Sequence, residues 1–193
     1  MMTPLKAFFI ALVFGAAIPI GLALHDRRAS EAADAAADRL APKYSTLAPG
    51  IFVAAQIAPE QLYRFRHQAS VASLIDLRPD GEAADQAPAA DMEAEAKRQD
   101  MGFSYVPTPH GPIPDAVVQQ FSQAMARSQQ PILLYCRSGS RAARVWALAE
   151  ASRPGGQQAP AILAAVKSAG LSADDLAGEI DRRIAARSPG KPQ

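Results

Sequence analysis

One cysteine, three histidines and one tryptophan are all that the 193 residues hold of those types, and each scarcity closes off a class of function. A lone cysteine forms neither an intramolecular disulfide nor a multi-cysteine metal site, so packing must supply the stability and the redox compartment leaves no mark. His25 sits at the edge of an apolar run and His67 on a predicted helix, and neither suggests a metal site. No metal or other cofactor is expected. An excess of charge is also missing: 20 basic against 19 acidic residues leave a formal net charge of +1. That provides no broad field for a polyanion and argues against nucleic acid as a partner. No internal repeat is present.

What the chain does have is a 49% hydrophobic fraction, enough for one well-buried domain plus appendages. Its 16 prolines and alanine-rich runs fit a high-GC bacterial composition. After Lys6, residues 7–24 ("AFFIALVFGAAIPIGLAL") are uncharged and, at ~1.5 Å per residue, reach roughly the ~30 Å hydrocarbon thickness of a membrane. The expectation is a retained single-pass anchor over residues 1–24; the alternative is a secretory signal cleaved after Ala23. Lys6 lies on one side of the run, and Arg27, Arg28, Arg39 and Lys43 on the other. The expected location is the bacterial inner membrane, with the folded part in the periplasm. Residues 25–43 read as an alanine-rich, charged stalk, residues 44–187 as the domain and residues 188–193 as a tail.

The domain pattern is α/β. Strands are predicted over 51–56, 71–77, 103–107 and 131–136, and helices over 58–69, 91–100, 114–128, after the cysteine loop, and over 158–169 and 172–187. The last two are joined at Gly170, with Ser172 placed to cap the second. Near-continuous apolar runs such as "VASLIDL" suit strands buried on both faces. Alternating strands and helices predict three layers around a central, mainly parallel sheet. Trp146, with Val145 and Leu148, reads as core, and "EIDRRIAAR" (179–187) as an ordinary charged amphipathic helix.

Cys136 ends the most apolar strand, where open α/β sheets place their ligand crevices. Arg137, Ser138, Gly139, Ser140 and Arg141 then lead into a helix. Successive N–H groups and the positive end of the helix converge there on one point, which makes an anion site and favours a thiolate. Gly139 lets the loop fold tightly, and Arg141 can hold two oxygens of a tetrahedral anion. The competing reading is a core thiol beside a turn with solvated arginines. Strand, glycine and two arginines in this order favour the functional one.

Three segments, "SLIDLRPDGEAADQ", "PTPHGPIPDAVVQQF" and "LLYCRSGSRAARVWALAEA", resemble in content and order the beta-lactamase-hydrolase-like phosphatase domain family, over roughly residues 44–170. Members are often described as sulfurtransferases. The resemblance implies a fold like the dual-specificity phosphatases, with the cysteine loop between the last core strand and a helix. Cysteine phosphatases carry an arginine six positions after the cysteine and usually a histidine just before it. Here Arg141 is at position five, Ala142 at six, and Tyr135 precedes the cysteine. The loop is one residue short and looks like that of single-domain rhodaneses, and "IDLRPDGE" is faintly similar to the first strand motif of that fold. The main expectation is therefore sulfur transfer through a Cys136 persulfide, drawn from thiosulfate or a persulfide and passed to cyanide or a thiol acceptor, such as a thiol acceptor protein. The alternatives are hydrolysis of a phosphoester and a non-catalytic module that binds an oxyanion or persulfide.

Accessory candidates surround that loop. His110 is the histidine near the predicted crevice, either an exposed loop residue or a proton carrier. Asp115 either caps helix 114–128 or supplies an acid. Arg78, Asp80 and Glu82 cluster after the buried strand, as a turn or as supporting and substrate contacts.

Overall fold

The computed structural model describes residues 41–187. The predicted anchor and most of the predicted stalk lie outside these residues, as does the tail. Among the described residues no helix is long and apolar enough to cross a membrane.

Five strands form one sheet: β1 (Ser45–Ala48), β2 (Ile51–Ala54), β3 (Ser73–Asp76), β4 (Gly102–Tyr105) and β5 (Ile132–Tyr135), in the order β1-β2-β5-β3-β4. Strands β2, β5, β3 and β4 are mutually parallel, and β1 joins antiparallel at the β2 edge. The sheet is thus mixed, with the parallel part expected and one strand more than the sequence pattern suggests. In β5 the side chains alternate: Ile132 and Leu134 enter one core, Leu133 and Tyr135 the other.

Helices α1 (Leu62–Gln68) and α2 (Ala89–Arg98) cover the second face, through Leu62, Phe65, Met92 and Ala96. Four helices cover the first: α3 (Asp115–Arg127), α4 (Ser140–Ser152), α5 (Ala159–Ser168) and α6 (Ala177–Ala185), through Phe121, Val145, Trp146, Ile162, Val166 and Ile180. The result is the expected three-layer arrangement.

Two predicted helices begin differently from expectation. The segment 58–69 opens with a short 3-10 turn at Pro59–Gln61 before α1, where the N–H of Ala58 donates to the Gln61 side chain at 2.8 Å. A second such turn, Asp174–Leu176, precedes α6, and Ser172 accepts the N–H of Asp174 there instead of capping the α-helix itself. Arg187 ties the end of α6's chain to the rest of the domain by donating to the carbonyls of Glu150, Ala151, Gly156 and Gln157.

Candidate active site

The sheet order puts β5 between β2 and β3, and the chain leaves β5 directly into Cys136 at the carboxyl edge. Neighbouring segments hold this exit: the N–H of Leu77 donates to the Tyr135 carbonyl at 2.9 Å, and that of Gln56 to the Arg137 carbonyl at 3.2 Å. Cys136 is fully buried at the floor, whereas Arg137 and Ser138 are exposed at the rim. Gly139 adopts φ +86°, and a Cβ there would stand 3.3 Å from the Ala54 carbonyl oxygen and 3.5 Å from a Val53 methyl. Only glycine combines this left-handed turn with such close approach to β2. Helix α4 starts at the next residue, so the N–H groups of Ser140, Arg141 and Ala142 have no intrahelical acceptor and face the turn that contains the thiol.

Arg141 lies in the first turn of α4, close enough to Cys136 for the two side chains to interact electrostatically. Glu82 fixes it from the other side: Nη1 donates to Oε1 at 2.5 Å and Nη2 to Oε2 at 2.7 Å, and Nη1 also donates to the Thr108 carbonyl at 2.8 Å. Hydrogen bonding to Glu82 is the largest influence that raises the Arg141 pKa, against the effect of burial. Glu82 in turn is pulled down to about 2, first by Arg141, with Arg78 and His110 acting in the same direction and burial opposing.

Around this pair the structure sorts the other candidates. Arg78, 4% exposed, donates from Nε to Glu82 at 3.1 Å and from Nη1 to the Gln56 side chain at 2.6 Å, so it supports the clamp from below. His110 is on the loop after β4, with its side chain 71% exposed and Nε2 3.4 Å from Glu82 Oε1. It therefore sits at the mouth, one carboxylate away from Arg141. Asp80 braces a loop instead of facing the sulfur: its carboxylate accepts the N–H of Ala89 at the start of α2, and its own N–H donates to the Tyr105 hydroxyl, both at 2.8 Å.

Asp115 is in the first turn of α3, as a dipole-matching residue should be, but its side chain makes no capping bond. It is ion-paired with Arg183 of α6, which also donates to Ser152 in the last turn of α4. That is the end of α4 away from the cysteine loop, about 18 Å along a 13-residue helix. Asp115 is therefore not positioned as an acid for Cys136. Sequence reasoning grouped Glu82 with its neighbours without seeing it as the hub, and it missed Gln56 and Thr108. The one local signal was the four-residue spacing from Arg78 to Glu82.

Sheet order, helices on both faces and a thiol between the central strand and a helix define a domain of the cysteine-phosphatase-like α/β class. Solved structures carry the same fold. A candidate phosphatase from Neisseria meningitidis matches with a TM-score of 0.62 at 22% identity, over 71% of this chain and 95% of that one. The core catalytic domain of the PP-IP phosphatase SIW14 from S. cerevisiae, solved with citrate, matches with 0.54 at 16%, over 77% and 87%. The chain belongs to the family described as beta-lactamase hydrolase-like protein, phosphatase-like domain, whose family model matches residues 43–153. A beta-lactamase hydrolase-like protein of Xylella fastidiosa is 40% identical over 79 residues, which is 40% of this chain and 18% of that protein. The match thus spans less than a fifth of the relative's length.

None of these relatives is a sulfurtransferase by name, and the leading expectation from the loop's spelling finds no support among them. Because α4 begins at Ser140, an arginine at position five already lies in its first turn, beside the thiol.

Proposed function

We propose that the domain is a cysteine-dependent phosphoester hydrolase. The observation that carries this reading is the Cys136–Arg141–Glu82 array: a thiol at the floor of a turn of unpaired amides, with a guanidinium fixed beside it by a bidentate carboxylate. Such an array fits three oxygens of a phosphoryl group, and its fixed charge matches the charge that spreads over them in transfer.

In the proposed cycle the Cys136 thiolate attacks phosphorus, the bond to the ester oxygen breaks, and a phosphocysteine forms. His110 donates a proton to the departing oxygen. The neutral imidazole then takes a proton from water as that water attacks phosphorus, which releases phosphate and the thiolate. Placement at the exposed mouth, with Nε2 3.4 Å from Glu82 Oε1, suits His110 to both steps. Sulfur transfer stays as a second reading on one observation, the five-residue spacing of Cys136 and Arg141.

The deciding experiment assays the full chain, wild type and Cys136→Ser, against an aryl phosphate, a phosphotyrosine peptide and inositol phosphates, and in parallel for thiosulfate-to-cyanide sulfur transfer. Phosphate release that needs Cys136, with a phosphorylated protein trapped by acid quench, is the expected result. Cys136-dependent thiocyanate formation without phosphate release would replace the reading by sulfur transfer, and absence of both would leave an oxyanion-binding module.

A further inference from the structure

A buried carboxyl beside the site has no part in this cycle. Asp76, 1% exposed, ends β3 between Tyr105 of β4 and Tyr135 of β5, its register partners. Strand alternation puts its side chain on the α1–α2 face, the side that Tyr135 occupies. There the carboxylate accepts a hydrogen bond, at 2.8 Å, from the N–H of Arg78 and lies beside Tyr135, with which it interacts.

The two partners belong to the two halves of the site. Tyr135 immediately precedes the nucleophile, and Arg78 supports Glu82, which holds Arg141. A leucine or valine would continue the apolar run of β3 at no desolvation cost, whereas a buried carboxylate costs stability unless it is well bonded. We propose that Asp76 is a positioning residue that ties the nucleophile's strand to the loop carrying the arginine clamp, so that Cys136 and Arg141 keep a fixed separation. The inference rests on the site proposed above, but its readout does not need turnover.

Tyr135 faces Asp76 from β5, Tyr105 from β4, and Arg78 and Asp80 from the loop that follows β3. The contributions of α1 and α2 to this face, Leu62, Phe65, Met92 and Ala96, are apolar. Burial pushes the Asp76 carboxyl up to about 6, against the hydrogen bonds from Tyr135 and Arg78, and Asp80 adds to the upward push. Protonation removes the charge that faces Tyr135 and the N–H of Arg78, so these contacts must be remade or lost as the pH falls through this range.

Cys136 is the single cysteine of the chain, so alkylation by iodoacetamide, followed by intact mass, reads this site alone. The test compares wild type, Asp76→Asn and Tyr135→Phe as full chains, with circular dichroism to check folding. The wild-type alkylation rate should inflect near pH 6. Both variants should lose that inflection and, with the aryl phosphate, lose on the order of tenfold in kcat at nearly constant KM, the scale of one charged hydrogen bond.

An inflection that persists in the variants, or one absent from the wild type, overturns the proposal. So does a kcat within twofold of wild type. Should Asp76→Asn not fold, Tyr135→Phe, which removes one oxygen from a buried ring, decides alone. A wild type without hydrolysis whose inflection still disappears in the variants would support the positioning role and remove the phosphatase reading.

Discussion

Replacing Glu82 by glutamine keeps the size of the side chain and removes its charge, which isolates the hub of the site. Three guanidinium hydrogen bonds converge on this carboxylate, from Arg141 Nη1 at 2.5 Å, Arg141 Nη2 at 2.7 Å and Arg78 Nε at 3.1 Å. Each hydrogen bond to a charged group contributes about 1.5–3 kcal/mol. A glutamine oxygen in the place of Oε2 keeps two of them, now to a neutral acceptor, while its NH2 group confronts the third donor. The cations left behind are largely buried, at 11% and 5% side-chain exposure, so their charge is poorly compensated by water. The expected loss is about 3–5 kcal/mol, the scale for breaking a buried pair by removing one partner. In a domain of this size that lowers Tm by on the order of 10 °C.

Urea unfolding followed by the fluorescence of Trp146, the single tryptophan and a buried one, measures the difference directly. The sign of the pH dependence is fixed as well. With its folded pKa at about 2, below its ordinary 4.5, Glu82 contributes stability that is fully present above 4.5 and disappears as the pH falls towards 2. The gap between wild type and Glu82→Gln should therefore be constant from neutrality to about pH 5 and close below it. A loss under about 1 kcal/mol, or a gap that stays open in acid, would refute the reasoning, since the pair would then be worth no more than a screened surface contact.

Two further outcomes are expected. Gly139→Ala forces a side chain into the left-handed region and against the Ala54 carbonyl; a stability loss of about 1–2 kcal/mol should accompany a fall in kcat/KM of at least about tenfold. Activity near wild type would mean that the loop tolerates a different path. Asp115→Asn removes a largely exposed partner of Arg183, so it should cost less than about 1 kcal/mol in a urea titration and leave kcat/KM unchanged. A tenfold fall in kcat/KM would restore Asp115 to the chemistry.

How much of this could be read from the chain depends on whether the signal was local. The parallel strands β2, β3 and β5 lie in apolar runs and declare themselves, and the loop from Cys136 to Arg141 is six consecutive residues, so its amides and glycine are visible in the sequence. Strand β1 was not, because "STLA" has one fully buried residue, Leu47, and an irregular register against β2. An edge strand this short shows no alternation to detect. Glu82 is 59 positions from Arg141 and lies in a stretch rich in turn formers, so its role appears only once β3 and β5 are paired. Asp76 was absorbed into an apolar run for the opposite reason: its neighbours Leu74, Ile75 and Leu77 are all core residues.

The clamp has a consequence for how an anion would be received. Arg141 is held by both Glu82 oxygens and by the Thr108 carbonyl, so its long side chain has little rotamer freedom left to lose. A free arginine would give up on the order of 1–2 kcal/mol of side-chain entropy at the moment of capture. Here that ordering belongs to folding, and the incoming ion meets a rigid receptor. Selectivity then follows from shape: an anion whose oxygens match the fixed plane and turn gains the full interaction, while one of different outline finds no adaptive movement to meet it.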